Sequence, residues 1–149
     1  MRALIQRVTE ARVRVDNEIK GEIGTGLLVF LGVEDADEVQ DLEWLSKKIL
    51  GLRIFSDNNG KLNLDLRNVE GAVLCISQFT LHASTKKGNR PSFIRSADPT
   101  KAEKMYLQFI DALRFDGMKV AEGVFGANMQ VELVNDGPVT IWIDSKNKE

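Results

Sequence analysis

Alternation with a period of two is the feature that most limits what this chain can become. In "ARVRV", residues 11–15, Ala11, Val13 and Val15 share one face of an extended backbone while Arg12 and Arg14 take the other, as in a half-buried strand. A turn at "DNE" leads to "IKGEI" (19–23) and then to "LLVFLGV" (27–33), which is apolar on both faces and belongs at the centre of a sheet. Further extended runs follow: "LRIF" (52–55), "LNLDL" (62–66) beyond the Asn59-Gly60 turn, "AVLCISQFTL" (72–81), "MKVAEGVF" (118–125), "MQVELV" (129–134) and "VTIWID" (139–144). Two segments break the period. Val39, Leu42, Leu45 and Ile49 recur at helical spacing behind Asp37, with Gln40 placed for a capping box and Gly51 as the stop. Asp98-Pro99 is an N-cap followed by proline at the first helical position, and Ala102, Met105, Tyr106, Phe109, Ile110 and Leu113 form the apolar stripe of the helix it opens. The pattern predicts one α+β domain, residues 1–149, with about eight short strands and two helices.

Composition narrows the possible functions. A chain of 149 residues buries roughly 70% of its unfolded surface and needs no covalent staples. The single Cys75 excludes an internal disulfide and reads as a core thiol. The longest apolar run is far short of the ~20 residues that span a bilayer, and Arg2, Arg7 and Arg12 interrupt the opening residues, so a cytoplasmic protein with no membrane partner is expected. A net charge of -2 argues against non-specific coating of nucleic acid, so contact with an anionic polymer has to be local. His82 is the only histidine, no residues show metal-ligand spacing, and no metal or cofactor is expected. A Ser77-His82 pair on an extended segment would be separated by ~16 Å, too far for a triad without a fold-back.

Three stretches look unlike ordinary core or turn. "SQFT", Ser77 to Thr80, puts polar side chains at the end of a buried strand; it is either a strand reaching solvent or a site. "STKKGNRPSFIR" collects Lys86, Lys87, Arg90 and Arg95 in a long surface segment from His82 to Ser96, either a solvated loop or a phosphate-contacting one. "NDGPVT", residues 135–140, sets Gly137-Pro138 between two strand-like runs, where proline donates no ladder hydrogen bond; it is either a plain turn or a specialised backbone.

In this order and wording the stretches resemble the D-aminoacyl-tRNA deacylase family. The resemblance is carried by "SQFTL" (77–81), "GNRPSF" (88–93) and "MQVELVNDGPVT" (129–140), and with the "MRALIQRV" opening it spans essentially the whole chain. It implies a twisted, barrel-like sheet and a homodimer in which Gly137-Pro138, through a cis peptide bond, reaches into the partner's site beside Ser77, Gln78, Phe79 and Thr80. Met129 is implied on the substrate, Lys86, Lys87 and Arg90 are expected on the tRNA, and DNA is not an expected partner. The implied reaction is hydrolysis of the ester joining a D-amino acid, or glycine, to the terminal adenosine of tRNA, with L-aminoacyl-tRNA spared, a proofreading step in translation. Such an ester is already activated, so positioning, backbone N–H donors near Phe79 and Thr80, and the tRNA 2′-hydroxyl can suffice. Thr80 as nucleophile is the rival mechanism, and it lacks a nearby base. A catalytically silent RNA-binding module leaves "SQFT" and Gly-Pro unexplained, and a small-ester hydrolase leaves the basic loop unexplained; both remain open on the residues alone.

Overall fold

The computed structural model describes all 149 residues. In chain order the elements are β1 (Arg2–Val15), β2 (Glu18–Ile23), β3 (Gly26–Gly32), α1 (Val39–Leu50), β4 (Phe55–Ser56), β5 (Leu62–Leu64), β6 (Ala72–Ser77), a 3-10 turn (Phe79–His82), α2 (Pro99–Phe115), β7 (Lys119–Glu122) and β8 (Gln130–Asp144). The expected α+β class, strand number and two helices hold. Two strands are long rather than short, because the N-terminal strand runs for 14 residues and the last two expected strands are one strand of 15.

β1 organises the sheet. One of its edges pairs with β3 over residues 2–8 and with β2 over residues 11–15, while the other pairs antiparallel with β8 along nearly its whole length. β3, β6 and β7 continue the sheet in parallel, and β4 with β5 makes a separate small hairpin. The sheet curls until β7 approaches β2. A side chain on Gly21 would place its Cβ 2.7 Å from the Glu122 carbonyl, so glycine is what lets the two rims come this close and leaves the barrel nearly closed.

Two apolar clusters explain why β3 and β6 are hydrophobic on both faces. Leu27, Val29 and Leu31 of β3 and Val73 and Cys75 of β6 face a core shared with both helices, where Leu45, Ile49, Phe109 and Ile110 are fully buried. Leu28, Leu74 and Ile76 point the other way, into the barrel with Val8, Ala11 and Val13. β1 changes sides on its way: Met1, Ala3 and Ile5 belong to the helical core, Val8 onward to the barrel. Its pairing with β8 is irregular between Gln6 and Glu10, and that is where the alternation slips by one.

The helices form for the reasons their sequences suggest, with one shift. In α2 the Asp98 carboxylate accepts from the Thr100 and Lys101 N–H groups at 3.0 and 3.1 Å, and the Tyr106 hydroxyl donates to the Cys75 carbonyl at 2.8 Å, tying the helix to β6. α1 starts one residue later than expected: Glu38 is its N-cap, and Asp41 accepts the Glu38 N–H at 2.9 Å. Asp37 is buried instead, paired with the Met1 ammonium and accepting the Glu34 N–H at 2.8 Å. No helix is long and apolar enough to cross a membrane.

Candidate active site

β6 delivers Ser77 to the sheet rim, where the Gln78 N–H still reaches the Leu31 carbonyl at 2.8 Å before the backbone tightens into the 3-10 turn. Three contacts hold that turn: Arg2 Nη1 donates to Leu81 O at 2.9 Å, Ser96 Oγ to Phe79 O at 3.2 Å, and the Ala83 N–H to Thr80 O at 3.0 Å. It is seated on Gly32, where a Cβ would lie only 3.0 Å from the Gln78 carbonyl and 3.1 Å from the His82 ring. The Phe79 and Thr80 N–H groups precede the turn's own first hydrogen bond, Leu81 N–H to Gln78 O at 3.3 Å, which leaves them outside its internal pairing.

Beside the turn opens a mostly apolar cleft of about 490 Å3. Ser77, Gln78 and Phe79 form one wall, Met129 enters from the residue before β8, and Tyr106 and Phe125 close the far side. Gly123 makes room for Met129, since a Cβ there would lie 2.6 Å from its sulfur. The cleft therefore gathers Ser77, Gln78, Phe79 and Met129 from segments far apart in the chain. Thr80 sits just outside the lining, exposed, its hydroxyl accepting from the Gln78 amide.

No side chain is arranged to activate a nucleophile here. His82 is not part of a surface loop, as its polar neighbours suggested, but packs beneath the turn at 1% exposure with neither ring nitrogen hydrogen-bonded. Burial, and then the charges of Arg2 and the Met1 ammonium, hold its pKa below the ordinary 6.5, with the Gly32 carbonyl and Glu34 pulling the other way. Burial likewise pushes the Cys75 thiol well above its usual range, so the one cysteine is inert.

"NDGPVT" is neither a hairpin turn nor a break in β8. Gln6 pairs with Thr140 and Val8 with Asn135, so Arg7 alone stands opposite Asp136, Gly137, Pro138 and Val139, and the extra residues bulge from a strand that resumes on the far side. The Gly137-Pro138 bond is cis, Gly137 has φ +113°, and both residues are exposed, away from the cleft of their own chain. Arg7 holds the bulge. Its Nε lies 3.0 Å from the Asp136 carboxylate and donates to the Asp136 carbonyl at 3.3 Å, while Nη1 donates to Ile54 O at 2.6 Å. Asn135 ties the ends together, accepting the Val139 N–H at 3.3 Å and donating to Thr140 Oγ1 at 2.9 Å. Arg7 was not among the residues expected at a site. Its signal was present, since it falls one slot into the apolar phase set by Met1, Ala3 and Ile5, where a buried cation needs a dedicated partner.

The basic segment divides into two kinds of cation. Ser84 and Ser92 exchange N–H···O bonds at 2.8 and 2.9 Å, closing a loop on which Lys86, Lys87 and Arg90 are exposed and make no ion pair. Arg95 is structural, its guanidinium on the buried Glu34 carboxylate at 2.7 Å.

A family model described as D-Tyr-tRNA(Tyr) deacylase matches residues 4–144. A D-aminoacyl-tRNA deacylase from Flavobacterium psychrophilum is 51% identical, and one from Cytophaga hutchinsonii 55% identical, each match covering the whole of both chains. Among solved structures, one titled c-Myc DNA Unwinding Element Binding Protein superposes with a TM-score of 0.91 at 40% identity, covering 97% of this chain and 98% of the other.

Proposed function

The chain belongs to the D-Tyr-tRNA(Tyr) deacylase family, and from that premise we propose that it hydrolyses the ester bond of D-aminoacyl-tRNA, releasing free tRNA and the D-amino acid. The observation that carries the chemistry is the cleft at the Ser77–Thr80 turn, which has walls to seat an aminoacyl-adenosine but no side-chain base within reach of a nucleophile. An activated ester needs little more than orientation and stabilisation of the oxyanion, and the Phe79 and Thr80 N–H groups, outside the turn's internal pairing, serve as the donors in this reading. The adjacent tRNA 2′-hydroxyl then assists the attack on the ester. Thr80 is left a positioning role, consistent with a hydroxyl already engaged by Gln78.

The protein works as a homodimer in this reading. Support comes from β8, which pairs only with β1 and offers a second edge without a partner, and from Val134 and Trp142, exposed along the same strand. Gly137-Pro138 is exposed and outside the lining of its own cleft, which fits a role in the partner's. There a side-chain-free glycine on an anchored bulge brings rigid backbone against the α-carbon of the substrate. Glycine and D-residues fit such a wall, and an L side chain collides with it, a stronger discriminator than an apolar pocket alone. Lys86, Lys87 and Arg90 meet the acceptor-stem phosphates, and the site of action is the cytoplasm, where tRNA is charged. The test is hydrolysis of D-Tyr-tRNA, L-Tyr-tRNA and D-tyrosine ethyl ester by the purified protein. Only the first should turn over; equal cleavage of the ethyl ester makes the protein a small-ester hydrolase, and binding without cleavage makes it an RNA module.

A further inference from the structure

Apolar side chains stand in solvent where the basic loop rejoins the domain. Ile94 is 92% exposed, and Phe79, which lines the cleft with part of its surface, is 57% exposed with its ring edge-on to Phe93 at 5.1 Å between centroids. Fraying does not explain this. Every backbone position around Ile94 is tethered: Ser92 to Ser84, Arg95 O accepting from the Asp35 N–H at 3.1 Å, the Ser96 N–H on Phe93 O at 2.9 Å, and the Ala97 N–H on Val33 O at 3.1 Å. The fold holds an isoleucine in water next in the chain to Phe93, whose ring meets that of Phe79 at the edge of the cleft. The same loop carries Lys86, Lys87 and Arg90, exposed and unpaired.

Apolar and aromatic surface next to free cations suits unstacked bases on a phosphate backbone, because every base offers a π face and every linkage a negative charge. We infer that Phe79, Phe93 and Ile94 form a stacking platform for the unpaired nucleotides that precede the terminal adenosine of tRNA. The enzyme thereby grips the single-stranded 3′ end as well as the aminoacyl-adenosine in the cleft. This rests on the deacylase reading and adds a substrate contact to it. On the loop side of the patch, away from the cleft that the dimer partner's Gly137-Pro138 enters, a second copy of the chain is a poorer occupant. A two-fold contact through this patch would bring two sets of Lys86, Lys87 and Arg90 together without counter-charge, whereas RNA supplies that charge.

The experiment compares kcat/KM for D-Tyr-tRNA with that for D-tyrosyl-adenosine, which keeps the ester and lacks the preceding nucleotides. Phe93→Ala, alone and with Ile94→Ala, should lower the ratio of the two values about tenfold or more, as expected for one lost base–aromatic stacking contact. Phe93→Trp, which keeps a flat surface, should retain it. A ratio that stays within twofold of wild type in all variants overturns the platform, as does a fall in the ratio accompanied by a changed mass in light scattering, which would make the patch a contact between copies. If the wild-type protein cleaves neither substrate, the deacylase reading falls and the platform with it; if it cleaves both and the ratio does not move, only the platform falls.

Discussion

A single methyl group on Gly137 should destabilise the protein more than its exposed position suggests. At φ +113° an L side chain is strained, at about 1–3 kcal/mol. The added Cβ would also lie 2.8 Å from Arg7 Nη2 and 3.1 Å from Val139 Cγ2, tighter than packing allows. Arg7 cannot simply swing aside, because Nη1 is bound to Ile54 O at 2.6 Å and Nε to Asp136. Displacing it loses at least one charge-assisted hydrogen bond, about 1.5–3 kcal/mol. Gly137→Ala should therefore cost about 2.5–6 kcal/mol in urea unfolding at fixed protein concentration, a large part of the roughly 5–15 kcal/mol typical of a folded domain. A double-mutant cycle separates the two contributions. In an Arg7→Met background only the backbone share should remain, which makes the coupling about 1.5–3 kcal/mol. Gly126→Ala is the control: it also has positive φ, +73°, but nothing lies within 4 Å of the added atom, so about 1–2 kcal/mol is expected. Deacylation of D-Tyr-tRNA by Gly137→Ala should fall at least about tenfold where the variant is still folded, a prediction that rests on the bulge facing the substrate. A cost below about 1 kcal/mol, or the same cost with and without Arg7, would refute the account of the bulge.

Thr80→Ala should retain most deacylase activity, measured in single turnover, and a tRNA ending in 2′-deoxyadenosine should be a poor substrate; a loss of ~10³-fold in Thr80→Ala would instead identify a covalent nucleophile. Reversing Lys86, Lys87 and Arg90 to Glu should raise KM for charged tRNA and flatten its salt dependence while leaving the melting temperature nearly unchanged, and an unmoved KM would place the RNA elsewhere. The unfolded chain protonates His82 near pH 6.5, whereas the fold, which buries the ring and adds the charges of Arg2 and the Met1 ammonium against the opposing Gly32 carbonyl and Glu34, protonates it at lower pH. Its contribution to stability is therefore complete above that pH and is lost as pH falls toward the folded pKa. His82→Leu should flatten this acid slope in unfolding experiments, and a slope equal to wild type would remove His82 as its source.

What could be read from the residues was what neighbours in sequence decide. Asp98-Pro99 and the stripe behind it specify α2, because capping and amphipathicity act within a turn or two of helix. "LLVFLGV" declared a central strand, and the double burial of β3 between barrel and helices is the reason. The polar end of "AVLCISQFTL" was open between a strand reaching solvent and a site, and the structure puts Ser77, Gln78 and Phe79 on the wall of a cleft. The same local logic left "NDGPVT" open between a plain turn and a specialised backbone, since Asn-Asp-Gly-Pro has turn chemistry. Pairing with β1 on both sides of the bulge overrides it, and nothing within a few residues of Pro138 records that partner. His82 could not be placed because its cover comes from Gly32 and Arg2, and Arg95 could not be told from Lys86, Lys87 and Arg90 until Glu34 arrived beside it. By itself, then, the sequence determined the periodicities, the helix ends apart from the start of α1, and the motif that ends at the cleft. Tertiary structure alone decided which charges are free, which are structural, and where the Gly-Pro bulge points, because a buried polar group is satisfied by whatever the whole fold brings within hydrogen-bond reach.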